Sequence, residues 1–293
     1  MLPRRVLAAF VLSCVFLLLT PDAAQPQATA PSEVEDFIQL LSAEGREESF
    51  RRIKNTWQDS YTPMLLDVVR FTRDTNFARR LLVLLGGKTG KSFQYDVNEW
   101  WRWHWSEERQ LHPDYAEFKA ALHGLLDPKF QGYFSSNRTA KIRLDEVVWG
   151  GVVQDGIPPL RSPKMISADE ASYLKDDNIV FGLEVNGDAR AYPKRILAWH
   201  EMFVDVVGGV SVAGVYCTLC GSMVLYETVH DGVDYALGTS GFLYRSNKLM
   251  YDRETQSLWS TLRGEPVIGP LADKDITLTR GYVVTTTWAK WRE

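Results

Sequence analysis

At Asp127-Pro128 the period of the apolar residues changes, and that switch constrains what can fold on either side of it. Upstream the spacing is helical. Ser32 and Glu35 form a capping box ahead of Val34, Phe37, Ile38 and Leu41, which share one helical face. Thr62-Pro63 opens another helix with Leu65, Val68 and Val69 on its inner face, and the run from Phe77 to Leu85 predicts a third that stops at Gly86-Gly87. Trp100, Trp101, Trp103 and Trp105 crowd the next stretch, and Tyr115, Phe118 and Leu122 continue at helical spacing. No strict repeat period is visible, so a solenoid is not indicated. From Lys141 onward β-branched and aromatic residues alternate with polar ones. Residues 178–184, 189–192, 204–207, 210–216, 223–229 and 233–237 read as strands. Asn186-Gly187, Gly208-Gly209 and Asp231-Gly232 are dipeptides expected of tight hairpins. A short helix over 168–175 is expected behind the box Ser167 and Glu170. The expected fold class is α+β: an all-helical region, 32–130, then a mostly antiparallel β-rich domain, 140–293, as a sheet or partly closed barrel.

The N-terminus sets the redox context. Arg4 and Arg5 precede an apolar run from Val6 to Leu19 and a small-residue zone at Ala23-Ala24, the order of a cleavable export signal, here 1–24. The run is shorter than a membrane-spanning helix needs, so an uncleaved anchor is the lesser reading, and no later segment reads as a span. Residues 25–31, rich in Ala, Pro and Gln, read as a flexible leader. The expected location is the periplasm or outside the cell. There a cysteine pair can stay oxidised. With 33 basic against 37 acidic residues and a net charge of -4, the chain lacks a nucleic-acid footprint. A small molecule or another exported protein remains as partner.

Cleavage of the signal would remove Cys14 and leave Cys217 and Cys220 as the only cysteines, in Val215-Tyr-Cys-Thr-Leu-Cys-Gly-Ser222. A disulfide across so short a loop gains only about 2 kcal/mol in the chain-entropy model, so it is a poor staple. Strained and accessible disulfides are the labile ones, and the spacing therefore favours redox work. Met223 to Val229 alternates like a strand, which places the motif in a turn between strands rather than at a helix N-terminus. A metal would need further ligands. His200, in Trp-His-Glu and oriented by Glu201 or a carbonyl, is the better histidine for that role, with a transition metal on Cys217, Cys220 and His200. Alternatively His200 holds a cysteine as thiolate. Gly221 occupies the position where covalent c-type haem needs histidine, which excludes that cofactor. Inert thiols or a local clamp remain the plain alternative.

Glu201, Ser240, Gly241, Asp252 and Arg253 form a candidate ligand wall. Ser240-Gly241 lacks a nucleophile elbow, and Tyr251 to Thr255 also reads as a hairpin with an internal ion pair. Arg143, Asp145 and Glu146 read as an ion-pair cluster joining the two halves.

A run from about Ile142 to Trp291 resembles the bacterial domain of unknown function family 3179 (DUF3179). The resemblance rests on Arg-Leu-Asp-Glu-Val-Val-Trp-Gly-Gly at 143–151, Asp-Gly-Ile-Pro-Pro at 155–159, Ala-Tyr-Pro at 191–193, Trp-His-Glu at 199–201, Tyr-Cys-Thr-Leu-Cys-Gly at 216–221, Ser-Gly-Phe-Leu-Tyr-Arg-Ser-Asn at 240–247, Met-Tyr-Asp-Arg-Glu-Thr at 250–255 and Ser-Leu-Trp-Ser at 257–260. It covers about half the chain, and the helical half resembles a leader found on longer members. The resemblance implies an exported domain with no assigned activity. Thr218 stands where the family usually has Pro, and relatives usually continue past Trp288-Ala-Lys-Trp291, which implies missing C-terminal strands. The functional expectation is a thiol-disulfide or related redox protein, in which one cysteine attacks and the other resolves. The alternative is a non-catalytic metal- or ligand-binding module.

Overall fold

The computed structural model describes residues 32–293. The export signal and leader read in the sequence, 1–31, lie outside the described residues. Six helices come first: α1 (Glu33–Gln39), α2 (Arg46–Asn55), α3 (Tyr61–Phe71), α4 (Thr75–Thr89), α5 (Val97–Ser106) and α6 (Tyr115–Gly124). They bury Phe37, Leu65, Leu81, Trp100, Trp101 and Phe118 in one core, so the tryptophan-rich run is mostly helix interior. α1 starts on the expected capping box, with the Glu35 carboxylate accepting the Ser32 N–H at 2.7 Å. α4 differs from the reading of its end. It runs through Gly86-Gly87 and stops at Gly90, whose φ of 69° supplies the left-handed cap, its N–H bonded to the Gly86 carbonyl. A buried face at Leu81, Leu84 and Leu85 holds the helix together across the two glycines.

A 3-10 segment, Pro128–Tyr133, capped by Asp127, leads into the strands. In chain order these are β1 (Val147–Trp149), β2 (Leu160–Arg161), β3 (Ile179–Val185), β4 (Asp188–Pro193), β5 (Met202–Val207), β6 (Val210–Cys217), β7 (Ser222–Glu227), β8 (Val229–His230), β9 (Val233–Asp234), β10 (Leu237–Tyr244), β11 (Asn247–Asp252), β12 (Leu258–Ser260), β13 (Glu265–Ile268), β14 (Arg280–Gly281) and β15 (Val284–Thr287). Helix α7 (Lys194–His200) joins β4 to β5, and α8 (Trp288–Arg292) follows β15. Sheet A has the order β1-β10-β11-β12-β13, sheet B β14-β7-β6-β5-β2 and sheet C β15-β3-β4, with β8-β9 a separate hairpin. Every described pair is antiparallel except β2 with β5. None of the sheets closes into a barrel; they stack instead.

The stacking follows from alternation along each strand. On β11, Leu249 and Tyr251 pack with Phe130, Tyr133 and Phe134, which join the helical half to sheet A. Met250, between them, packs instead with Leu237 and Trp259 against Met202, Ala213 and Val215 of sheet B. The opposite face of sheet B, carrying Phe203, Val212 and Tyr216, packs on Phe181, Leu183 and Tyr192 of sheet C. The layers therefore run helices, sheet A, sheet B, sheet C. At Asn186-Gly187, Gly208-Gly209 and Asp231-Gly232 both residues have positive φ, which matches the right-handed twist of the hairpins they close. The helix read over 168–175 is replaced by successive turns: Ala171 and Leu174 donate to carbonyls three residues back, and the Ser167–Glu170 box caps a turn that never propagates. Only Ala171 among its apolar residues is fully buried, too little to offset the cost of nucleating a helix.

The two halves meet through buried charge. His104 on α5 donates from Nε2 to Asp145 Oδ2 at 2.9 Å, and Arg143 donates to the same oxygen at 2.7 Å. Glu146 pairs with Arg245 at the β10–β11 turn. Lys119 on α6 donates to the Val147 carbonyl of β1 at 2.8 Å and lies 3.5 Å from Asp67.

Candidate functional site

The chemistry gathers at the end of β6. Ala213 and Val215 face sheet A, so alternation points Cys217, the last residue of the strand, to the same side. Cys217 pairs with Ser222 across the turn Thr218–Gly221, which closes on Gly221 at φ 64°. The motif sits in a turn between strands, as its flanks predict. Both cysteines are free thiols, and their environments differ: Cys217 is 2% exposed, whereas Cys220 lies on the surface.

Burial pushes the Cys217 thiol up, and its hydrogen bond with Cys220 pushes the same way, against the backbone N–H groups of Cys220 and Lys248 that face its sulfur. The Cys220 thiol moves oppositely. Partial burial works against its charged form, but hydrogen bonds from Cys217, Ser222 and Asn247 together hold it below the usual thiol range. Asn247 Nδ2 donates to Cys220 Sγ at 3.1 Å, and Ser222 Oγ lies 3.4 Å from it.

Beneath the turn is an ion pair between sheets. On β11, Lys248 alternates with Leu249 and so shares the sheet B side with Met250, which brings it towards Cys217. Its Nζ donates to Glu201 Oε2 at 3.0 Å, with side chains 7% and 16% exposed. Thr218 in the cysteine turn donates to the other carboxylate oxygen at 2.7 Å. Burial lowers the Lys248 pKa, opposed by Glu201 and by Cys217. Glu201 itself caps α7 in the left-handed region, φ 54°, with its N–H bonded to the Leu197 carbonyl at 2.7 Å and its carbonyl accepting from Tyr216 at 2.9 Å. A non-glycine residue held there is an unfavourable backbone state that the surrounding structure enforces. Glu201, Thr218, Leu219, Lys248, Thr239 and Gly241 contribute to the wall of a cavity of about 160 Å³ beside the turn. That is below the roughly 300 Å³ of a typical ligand pocket.

Other residues read as site candidates do structural work. His200 donates from Nδ1 to the Pro158 carbonyl at 2.8 Å. Among the described residues no group of three or more His, Cys, Asp or Glu is placed to hold a metal ion. Ser240 is buried, donating to the Leu249 carbonyl at 2.6 Å and accepting from Phe242 N at 3.0 Å within the irregular register of β10. Asp252 is buried and accepts from Thr255, Ser257 and Trp259, which fixes the β11–β12 connection. Arg253 lies 4.0 Å from Asp155, whose carboxylate accepts from Tyr251 at 2.7 Å. Of the candidate wall, Glu201 and Gly241 line the cavity beside the cysteine turn. The residues that the sequence reading missed are Lys248 and Asn247. A lysine on the inward face of an apolar strand, Lys-Leu-Met-Tyr, is the signal that could have found the first.

Residues 154–293 match the family model described as "Protein of unknown function (DUF3179)". No curated protein and no solved structure matches the chain. The helices α1 to α6 and strand β1 lie outside the matched stretch. Cys217, Cys220, Glu201 and Lys248 all lie inside it, and this part of the chain, residues 154–293, is a DUF3179 domain.

Proposed function

We propose that the domain is a dithiol-disulfide exchange protein working outside the cytosol, in which Cys220 attacks and Cys217 resolves. One observation carries the reading: in a single turn an exposed thiol, which accepts from Asn247 at 3.1 Å and is held below the usual range, is joined to a buried thiol held above it. The thiolate is the nucleophile, so this asymmetry supports that order of events. Cys220 thiolate attacks one sulfur of a substrate disulfide, the substrate S–S bond breaks, and the first substrate thiol leaves with the electron pair. Cys217, once deprotonated, attacks Cys220 Sγ and expels the second thiol. The dithiol is oxidised by two electrons and the substrate disulfide reduced. A disulfide across residues three apart is strained, which keeps the reverse reaction accessible. The arginine-led apolar run at residues 4–19 supports an exported protein, where disulfide substrates persist.

The test is the reaction of the mildly reduced protein with dithio-bis-nitrobenzoate, followed by the absorbance of released thionitrobenzoate. Two phases are expected from the intact pair. Cys220→Ser should lose both, whereas Cys217→Ser should keep the first and accumulate the mixed disulfide. An inert Cys220 would overturn the proposal.

A further inference from the structure

Where α3 and α6 meet strand β1, the helical half and sheet A enclose a cavity of about 510 Å³, inside the size range of small-molecule sites. It shares no lining residue with the cavity beside the cysteine turn. Its apolar walls include the rings of Phe71 and Trp149, whose centroids lie 6.5 Å apart. His123, on α6, packs edge-on against Phe71 at 5.2 Å and is 2% exposed. Its Nδ1 donates to the Lys119 carbonyl at 2.8 Å, so in the neutral ring the proton is spent there and Nε2 keeps a lone pair. Burial, reinforced by the Lys119 charge, lowers the His123 pKa well below the usual histidine value and keeps the ring neutral. Nε2 has no hydrogen-bond partner among the described residues, yet it is not sealed off from solvent, and the cavity is the space its ring lines. An acceptor left unmet in so buried a ring costs about 1–3 kcal/mol, which a ligand with a donor would recover.

Two cations share the wall. Arg70, near the end of α3, and Arg73 form no ion pair and donate no side-chain hydrogen bond among the described residues. Arg70 sits over the Trp101 ring, 4.4 Å from its centroid, which holds the guanidinium without using its N–H donors. Asp67, the carboxylate on the wall, is already engaged: Tyr115 donates to it at 2.7 Å and Lys119 Nζ lies 3.5 Å away. The Trp149 indole N–H is likewise spent, on the Val152 carbonyl at 2.8 Å. Two guanidinium forks and one imidazole lone pair are left unmet beside aromatic walls.

We propose that this cavity binds an aromatic hydroxy-acid, with its carboxylate on Arg70 and Arg73, its O–H donating to His123 Nε2 and its ring against Phe71 and Trp149. A carboxylate matches the forked geometry of a guanidinium, and only a ligand that also carries a donor satisfies the imidazole, so a simple inorganic anion fills half of the site. The inference stands apart from the dithiol reading and uses none of its residues. Every lining residue of the cavity precedes the matched stretch 154–293, so the site gives the helical half a role of its own.

The test is calorimetric titration of the full chain with 6-hydroxy-2-naphthoate, 2-naphthoate and 2-naphthol. The hydroxy-acid should bind most tightly. Without the hydroxyl, 2-naphthoate leaves His123 unmet and should bind about tenfold more weakly, and 2-naphthol, which leaves both arginines unmet, about 100-fold more weakly. Arg70→Gln combined with Arg73→Gln should abolish the advantage of the hydroxy-acid over 2-naphthol. His123→Phe, which keeps an aromatic ring against Phe71, should abolish its advantage over 2-naphthoate. If His123→Phe fails to fold, the arginine variants and the comparison of ligands decide. Equal affinity for the three compounds, affinity for the hydroxy-acid unchanged in the arginine variant, or no binding of the hydroxy-acid at millimolar concentration would each overturn the proposal.

Discussion

Within the cysteine turn, each sulfur is tuned by neighbours that lie far off in sequence. Cys220 gains its acidity in part from Asn247, which arrives from the β10–β11 turn. Removing one hydrogen bond to a charged acceptor costs on the order of 1.5 kcal/mol, or about tenfold. Asn247→Ala should therefore slow alkylation of Cys220 at neutral pH by up to about tenfold. The sign is fixed by the direction of the shift: with its thiolate less favoured, the variant reacts only at higher pH, so the whole rate-against-pH curve moves up in pH. A curve that stays in place would show that Ser222 and Cys217 suffice. The sequence made the pair itself plain, because the spacing and the strand-like flanks of Cys217 and Cys220 point to a turn between strands. It could not show which thiol is buried. That depends on β11 closing over the end of β6 from another sheet, and alternation reveals which residues share a face without revealing what that face meets.

Secondary-structure elements were legible where a local rule dominates. The capping box of α1 and the three paired dipeptides at the hairpins act within a few residues, and the structure keeps them. Where tertiary contacts override the local signal, the reading slipped. α4 passes its glycines because a buried leucine face holds it, and residues 168–175 lack such a face. The junction of α5 with the β-rich half shows the same dependence on distant partners. Burial alone would raise the Asp145 carboxyl, yet hydrogen bonds from His104 and Arg143 outweigh it and hold the group at about 2. A carboxyl depressed from about 3.9 in the unfolded chain stabilises the fold above that pH and loses its contribution as the pH falls towards 2. Asp145→Asn should accordingly cost about 3 kcal/mol at neutral pH, since it leaves Arg143 without its buried partner. Chemical denaturation would measure this, and the difference between the two proteins should shrink in acid. A constant difference down to pH 2 would rule out the ion-pair account.

Across the whole molecule, the strand order of sheet A carries a consequence for how the chain reaches its native state. Residues 147–149 form the edge of that sheet, but their partner strand begins at Leu237, and the chain between them builds β3 and β4 of sheet C and every strand of sheet B except β14. In the helical half, by contrast, most packing joins helices one or two places apart in the chain, α1 on α2 and α3 on α4 and α5, with α1 on α6 the exception. Contacts between distant residues are slow to form because loop closure must come first. Refolding followed by tryptophan fluorescence should thus resolve a fast phase, from Trp100 and Trp101, ahead of a slower one from Trp259 between the sheets. Replacing Trp259 with Phe should remove the slow signal and leave the fast one. The cysteine turn belongs to the late part of this sequence of events, since Cys217 becomes enclosed only when β11 docks. Under the proposed function, a newly made chain that entered an oxidising compartment with both thiols open to solvent would be most exposed to oxidation of the pair during that interval.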